Sequence, residues 1–84
     1  SLESINENTL DLVISNPPFH FGYEINISVP LGMFSQVAKC LKPNGRFLMV
    51  ANNHLKYLPH LEHKFSAVNI LKENKKFKIY ECFK

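Results

Sequence analysis

Asp11-Leu12-Val13-Ile14-Ser15-Asn16-Pro17-Pro18-Phe19-His20 is the stretch on which the reading of this 84-residue chain turns. The run from Leu10 to Ser15 is short, apolar and rich in β-branched residues, and two prolines forbid its continuation, so a strand is predicted to end at Asn16. An asparagine amide and the carbonyls of a stiff Pro-Pro turn are then left at the carboxyl end of that strand, where open α/β sheets place their ligands. The run lacks polar alternation, which predicts burial on both faces in a parallel sheet covered by helices.

Working outward, residues 1–9 are polar and read as a connection into this strand; the chain opens Ser-Leu-Glu-Ser without a methionine, as a piece cut from something longer would. After Phe19, His20 to Ile27 fits neither the helical nor the strand period and is expected to be a loop. Ser28 can cap a helix whose first turn tolerates Pro30. Leu31, Phe34, Val37, Ala38 and Leu41 then recur at spacings of three and four, the apolar stripe of an amphipathic helix. Lys42-Pro43-Asn44-Gly45 breaks it, and Arg46 to Asn52 comes next as a second buried strand. A second helix is expected from about Lys56 to Phe65, with Pro59 in its first turn. Two alternating segments, Ser66 to Glu73 and Lys76 to Phe83, flank Asn74-Lys75 and predict an antiparallel hairpin. The layout is α/β, in the order β-α-β-α-β-β, with a right-handed crossover joining the first two strands.

Composition sets the bounds. A chain of this length forms at most one domain with a thin core, and 45% hydrophobic with 20% charged residues is a folding composition. The net charge of +3 favours a polyanionic partner only mildly. Lys72, Lys75, Lys76, Lys78 and Lys84 concentrate that charge near the end of the chain, either as a solvated, edge-protecting set on the hairpin or as an RNA contact. Cys40 and Cys82 stand apart from any metal-binding spacing and read as buried thiols in a reducing, cytoplasmic setting. Neither a membrane-length apolar stretch nor a lipidation motif occurs in the 84 residues.

The Asn-Pro-Pro-Phe corner suits one kind of chemistry. An amine on a nucleobase ring is a poor nucleophile while its lone pair is delocalised, and two directed acceptors on its N–H groups favour the pyramidal, reactive form. Asn16 Oδ1 and the Pro17 carbonyl can be those acceptors. Pro17 and Pro18 hold their aim, and Phe19 offers a face on which the base stacks.

This decapeptide resembles the fourth motif of class I S-adenosylmethionine-dependent methyltransferases that modify exocyclic or amide nitrogens. Downstream, Leu-Lys-Pro-Asn-Gly-Arg-Phe-Leu-Met-Val-Ala-Asn-Asn-His-Leu and Asn-Lys-Lys-Phe-Lys-Ile-Tyr are similar to the bacterial ribosomal RNA guanine-N2 methyltransferases. The resemblance implies a Rossmann-like sheet of strand order 3-2-1-4-5-7-6, of which residues 1–84 carry strands four to seven as a partial domain. It implies S-adenosyl-L-methionine as cofactor and ribosomal RNA or a ribosomal subunit as partner. Asn16 and Pro17 become the catalytic pair, with Asn16 also facing the cofactor, and Pro18, Phe19 and His20 become substrate contacts. Other amines (adenine N6, a glutamine amide) and a non-catalytic RNA-binding or assembly module of the same fold are the rival readings.

The family's glycine-rich first motif and its acidic ribose ligand are not found, because Gly22, Gly32 and Gly45 form no GxGxxG after a strand. The carboxyl half of a catalytic domain is therefore expected, binding the cofactor weakly or not at all by itself. Its central strand, Leu10 to Ser15, would become an apolar edge prone to self-association. Among other candidates, His20 can touch the substrate or the cofactor carboxylate, or simply pack in its loop. His54 can line the base pocket or start a helix, and Phe21 and Tyr23 can cover the base or anchor the loop. His60 and His63, three apart on a helix, lack a third ligand at suitable spacing, so no metal site is proposed. Phe77 and Tyr80 are expected to fill the core or flank the pocket rim.

Overall fold

A computed structural model describes residues 2–16, 20–21, 24–25, 28–53 and 55–84, with the backbone alone at 3, 20–21, 24–25 and 28–30. A 3-10 turn, Leu2–Ser4, leads into β1 (Leu10–Ser15). Two short strands, β2 (His20–Phe21) and β3 (Glu24–Ile25), precede α1 (Ser28–Cys40), β4 (Leu41–Asn52), α2 (Leu58–Lys64), β5 (Ala67–Glu73) and β6 (Phe77–Phe83). The main sheet has the order β1-β4-β6-β5. β1 and β4 are parallel neighbours across the α1 crossover, and β6 runs antiparallel to both β4 and β5. That is the order 4-5-7-6 implied by the family resemblance.

Both helices lie on one face of the sheet, because that is where the apolar residues converge. Phe47, Met49 and Ala51 alternate along β4, and Tyr80 and Cys82 along β6, so all five point to the same side. Phe34 and Val37 of α1, Leu61 of α2 and Leu55, Tyr57 and Phe65 beside it close over them, all at 5% exposure or less. Burial of each large side chain contributes about 1.5–3 kcal/mol. The Phe34 ring meets Tyr57 edge-on at 5.9 Å, and Phe47 lies 5.8 Å from Phe65. Both cysteines are buried and unbridged, as their isolation in the sequence suggested.

The other face changes the expectation for β1. Leu12 and Ile14 are 43% and 67% exposed, so this strand is not buried on both sides. It is the outermost strand of the sheet, and among the described residues no helix covers the face to which Leu12 and Ile14 point.

Three further corrections are local. The Lys42–Gly45 breaker does end α1, but the chain enters β4 at once and the four residues bulge out. Leu10 pairs with Leu41 and Leu12 already with Arg46, so two steps on β1 match five on β4. The expected loop from His20 to Ile27 contains an antiparallel ladder, His20 with Ile25 and Phe21 with Glu24. Helix α2 begins at Leu58, later than Lys56, with Pro59 in its first turn as expected and His63 and Lys64 in its last.

At the sheet end remote from Asn16, Lys84 ties several elements together. Its ammonium donates to Asn8 Oδ1 at 2.6 Å, to the Leu41 carbonyl at 2.8 Å and to the Lys39 carbonyl at 3.2 Å. A cation is well placed beside the carbonyls that end α1. Asn8, at φ 57, takes the left-handed conformation that asparagine tolerates better than most residues.

Candidate active site

Asn16 stands exposed one residue past β1. The strand end is fixed on two sides: Ser15 pairs with Met49 of β4, and its hydroxyl lies 3.8 Å from the Met33 sulfur of α1. A parallel partner puts the carboxyl ends of β1 and β4 at the same edge, so Asn16 shares its edge with Asn52 and Asn53. Pro17, Pro18 and Phe19 lie outside the described residues, as do Tyr23 and His54, and of His20 and Phe21 the backbone alone is described. The β2–β3 ladder begins immediately after the motif and precedes α1 in the chain.

Asn53 is the residue that sequence reasoning missed. Its backbone N–H donates to the Lys76 carbonyl at 2.7 Å, and its side-chain amide donates to the Asn74 carbonyl. The end of β4 is thereby clasped to the β5–β6 turn. That turn is closed by Asn74, whose Oδ1 accepts from the N–H groups of Lys76 and Phe77, each at 2.8 Å. Asn53 Oδ1 is buried and accepts no hydrogen bond among the described residues. The signal in the sequence was an Asn-Asn pair directly after a strand, legible as polar punctuation but not as a clasp.

Three titratable groups of the core are shifted by their surroundings. Burial, reinforced by the Tyr80 phenol, pushes Tyr57 up to about 12. Burial and then the Glu81 carboxylate push the Cys82 thiol up to about 12. Tyr80 is raised by burial first and then by Glu73 and Cys82. All three stay protonated at neutral pH. Tyr80 is core and Phe77 is 40% exposed. His60 and His63 line a groove of about 350 Å³ between α1 and α2 with Leu31, Gly32, Ser35 and Lys64. No group of three or more His, Cys, Asp or Glu side chains is placed to hold a metal ion among the described residues.

Gly32 lies within α1, and Gly45 is packed against Leu10 and Leu41, so neither forms the backbone cradle that comes after a strand in nucleotide-binding sheets. What the edge offers is an exposed amide side chain at a strand end.

A β-α-β-α-β-β sheet whose first strand is followed in sequence by Asn-Pro-Pro-Phe defines a portion of a class I methyltransferase fold. The profile of the Methyltransferase small domain family matches residues 1–81, and the chain belongs to that family. Among curated relatives, the ribosomal RNA small subunit methyltransferase C of Shewanella pealeana is 42% identical over 74 residues, which is 88% of this chain and 22% of the relative. The ribosomal RNA large subunit methyltransferase G of Alcanivorax borkumensis is 37% identical over 76 residues, or 90% of this chain and 20% of the relative. The chain thus spans about a fifth of the length of these relatives. A solved T. thermophilus 16S rRNA N2 G1207 methyltransferase, in complex with AdoMet and guanosine, superposes with a TM-score of 0.83 at 35% identity. The match covers 98% of this chain and 22% of that one. A type 11 methyltransferase from Sulfolobus solfataricus, at 17% identity and a TM-score of 0.61, shares the fold. Among the described residues no helix is long and apolar enough to cross a membrane.

Proposed function

We propose that this chain is the substrate-amine part of an S-adenosyl-L-methionine-dependent methyltransferase that modifies the exocyclic N2 amine of a guanine in ribosomal RNA. The observation that carries the reading is Asn16 held at the carboxyl end of a parallel strand, at the head of Asn-Pro-Pro-Phe, in a fold shared with a guanosine-bound relative. Residues 1–84 are read as strands four to seven of the domain. The methyl donor is held by polypeptide outside them, and Asn16 is the residue of this chain that faces it.

Asn16 Oδ1 and the Pro17 carbonyl accept the two N–H groups of the amine and turn its lone pair away from the ring. Pro18 stiffens the backbone behind them, Phe19 stacks on the base, and His20 borders the substrate. No side chain is required as an early base, since the amine proton becomes acidic once the nitrogen is alkylated. The exposed β1 edge, in the 84 residues alone, is read as a self-association surface.

The test is to join the chain to the upstream, cofactor-binding segment of the T. thermophilus relative and measure methyl transfer to ribosomal RNA. Asn16→Ala is expected to lower turnover on the order of 10²–10³-fold, the usual loss when one aimed polar group is removed, with little change in RNA affinity. Unimpaired turnover in that variant would remove the proposed role of Asn16.

A further inference from the structure

We propose that Lys72, Lys75 and Lys76, on and beside the β5–β6 turn, form a phosphate-binding rim that holds the RNA strand flanking the target base. The inference rests on the methyltransferase reading above and adds to it a place and a set of residues. Its first support is register. Ser15 pairs with Met49, Val50 with Ile79 and Ile79 with Lys72, so Asn16, Val50, Ile79 and Lys72 lie in one row across the sheet. Three strand spacings separate Asn16 from Lys72, roughly 14 Å, and the turn carrying Lys75 and Lys76 projects beyond that row at the sheet edge where β1 ends in Asn16. A strand of RNA with one base at Asn16 passes this turn a few nucleotides away.

The second support is how the cations at the two ends of the sheet are used. At the far end, Lys42 pairs with Asp11 at 3.3 Å and Arg46 with Glu81 at 2.9 Å, while Lys84 donates to three oxygens. At the Asn16 end Lys78 pairs with Glu73 at 3.8 Å. Lys72, Lys75 and Lys76 are exposed and make no ion pair among the described residues. Edge protection accounts for Lys72, on the outer strand β5, but not for Lys75 and Lys76, which lie in a turn with no strand edge to protect. The third support is rigidity. Asn53 and Asn74 fix the backbone of the turn to the end of β4, so the two ammonium groups are carried on a set frame and not on a loose loop.

The experiment is fluorescence anisotropy of a labelled single-stranded RNA with the 84-residue chain across a salt series. Phosphate contacts on single strands each contribute about 0.7 to the slope of log K against log salt. The pair Lys75→Gln/Lys76→Gln is therefore expected to make the slope shallower by about 1.4 and to weaken binding at 0.1 M salt at least tenfold. The control pair Lys39→Gln/Lys42→Gln removes the same charge from the opposite end and is expected to leave the slope unchanged. Equal effects from both pairs, no effect from the first, or no RNA binding at all would overturn the proposal. So would equal displacement of the RNA by polyglutamate and by inorganic polyphosphate, which would assign the rim to anions of any kind. An absent rim effect alongside the expected loss of methyl transfer, on the order of 10²–10³-fold, for Asn16→Ala in the joined protein would sink the rim and leave the catalytic reading standing.

Discussion

The same substitution at two glycines should move stability in opposite directions. A Cβ built on Gly45 would lie 2.8 Å from the Leu10 carbonyl oxygen, 3.0 Å from Leu41 Cδ2 and 3.1 Å from the Lys42 carbonyl oxygen. Two of these neighbours are backbone and cannot rotate aside, so relief requires β1 and β4 to separate at the bulge that sets their register. Overpacking of this kind costs about 1–3 kcal/mol. The alanine also restricts the unfolded chain, which offsets about 0.4–1 kcal/mol. Gly45→Ala is therefore expected to destabilise by on the order of 1–2 kcal/mol, close to 4–8 °C of Tm per kcal/mol for a domain of this size. A Cβ on Gly32 meets nothing within 4 Å. That residue is exposed within α1, and Gly32→Ala should stabilise by about 0.5–1 kcal/mol through helix propensity. Urea unfolding monitored by circular dichroism measures both, with the slope in denaturant checking that the compactness of neither state has changed. Equal or stabilising shifts at Gly45 would refute the close approach of Leu10 and, with it, the register that carries Asn16 to the end of β4's partner strand.

Burial leads to two further outcomes. Cys82 is raised from 9.0 to about 12, so above pH 9 the unfolded chain loses a proton that the folded chain keeps. This contribution to stability is complete below that pH and is lost as pH rises towards the folded value, at about 1.4 kcal/mol per pH unit. Under reducing conditions, Cys82→Ala should flatten the fall in urea-unfolding stability between about pH 9 and 10, and parallel falls in the two proteins would contradict it. At the β1 edge, where Ile14 is 67% exposed, Ile14→Lys should abolish concentration-dependent association in sedimentation velocity. A parent chain already monomeric at high concentration would show that the edge does not pair.

Local periodicity carried most of the architecture. The apolar run before Asn16, the three-and-four spacing from Leu31 to Leu41 and the Asn74 turn each specify an element through contacts a few residues long. What they could not carry was register. The Lys42–Gly45 bulge exists because Gly45 packs under Leu10, a residue 35 positions away. The exposure of Leu12 and Ile14 depends on what lies over the sheet and not on the hydrophobicity of the strand.

The corner behaves the same way. By itself the sequence determined that a strand ends at Asn16 and leaves an amide side chain there, since steric limits on proline and strand propensity act locally. Tertiary structure decided which residues keep that amide company. The antiparallel return of β6 onto β4 brings the Asn53 clasp and the lysines of the β5–β6 turn to the edge of Asn16. The physical reason is that strand pairing converts distance along the chain into position across the sheet, and no local preference encodes that conversion.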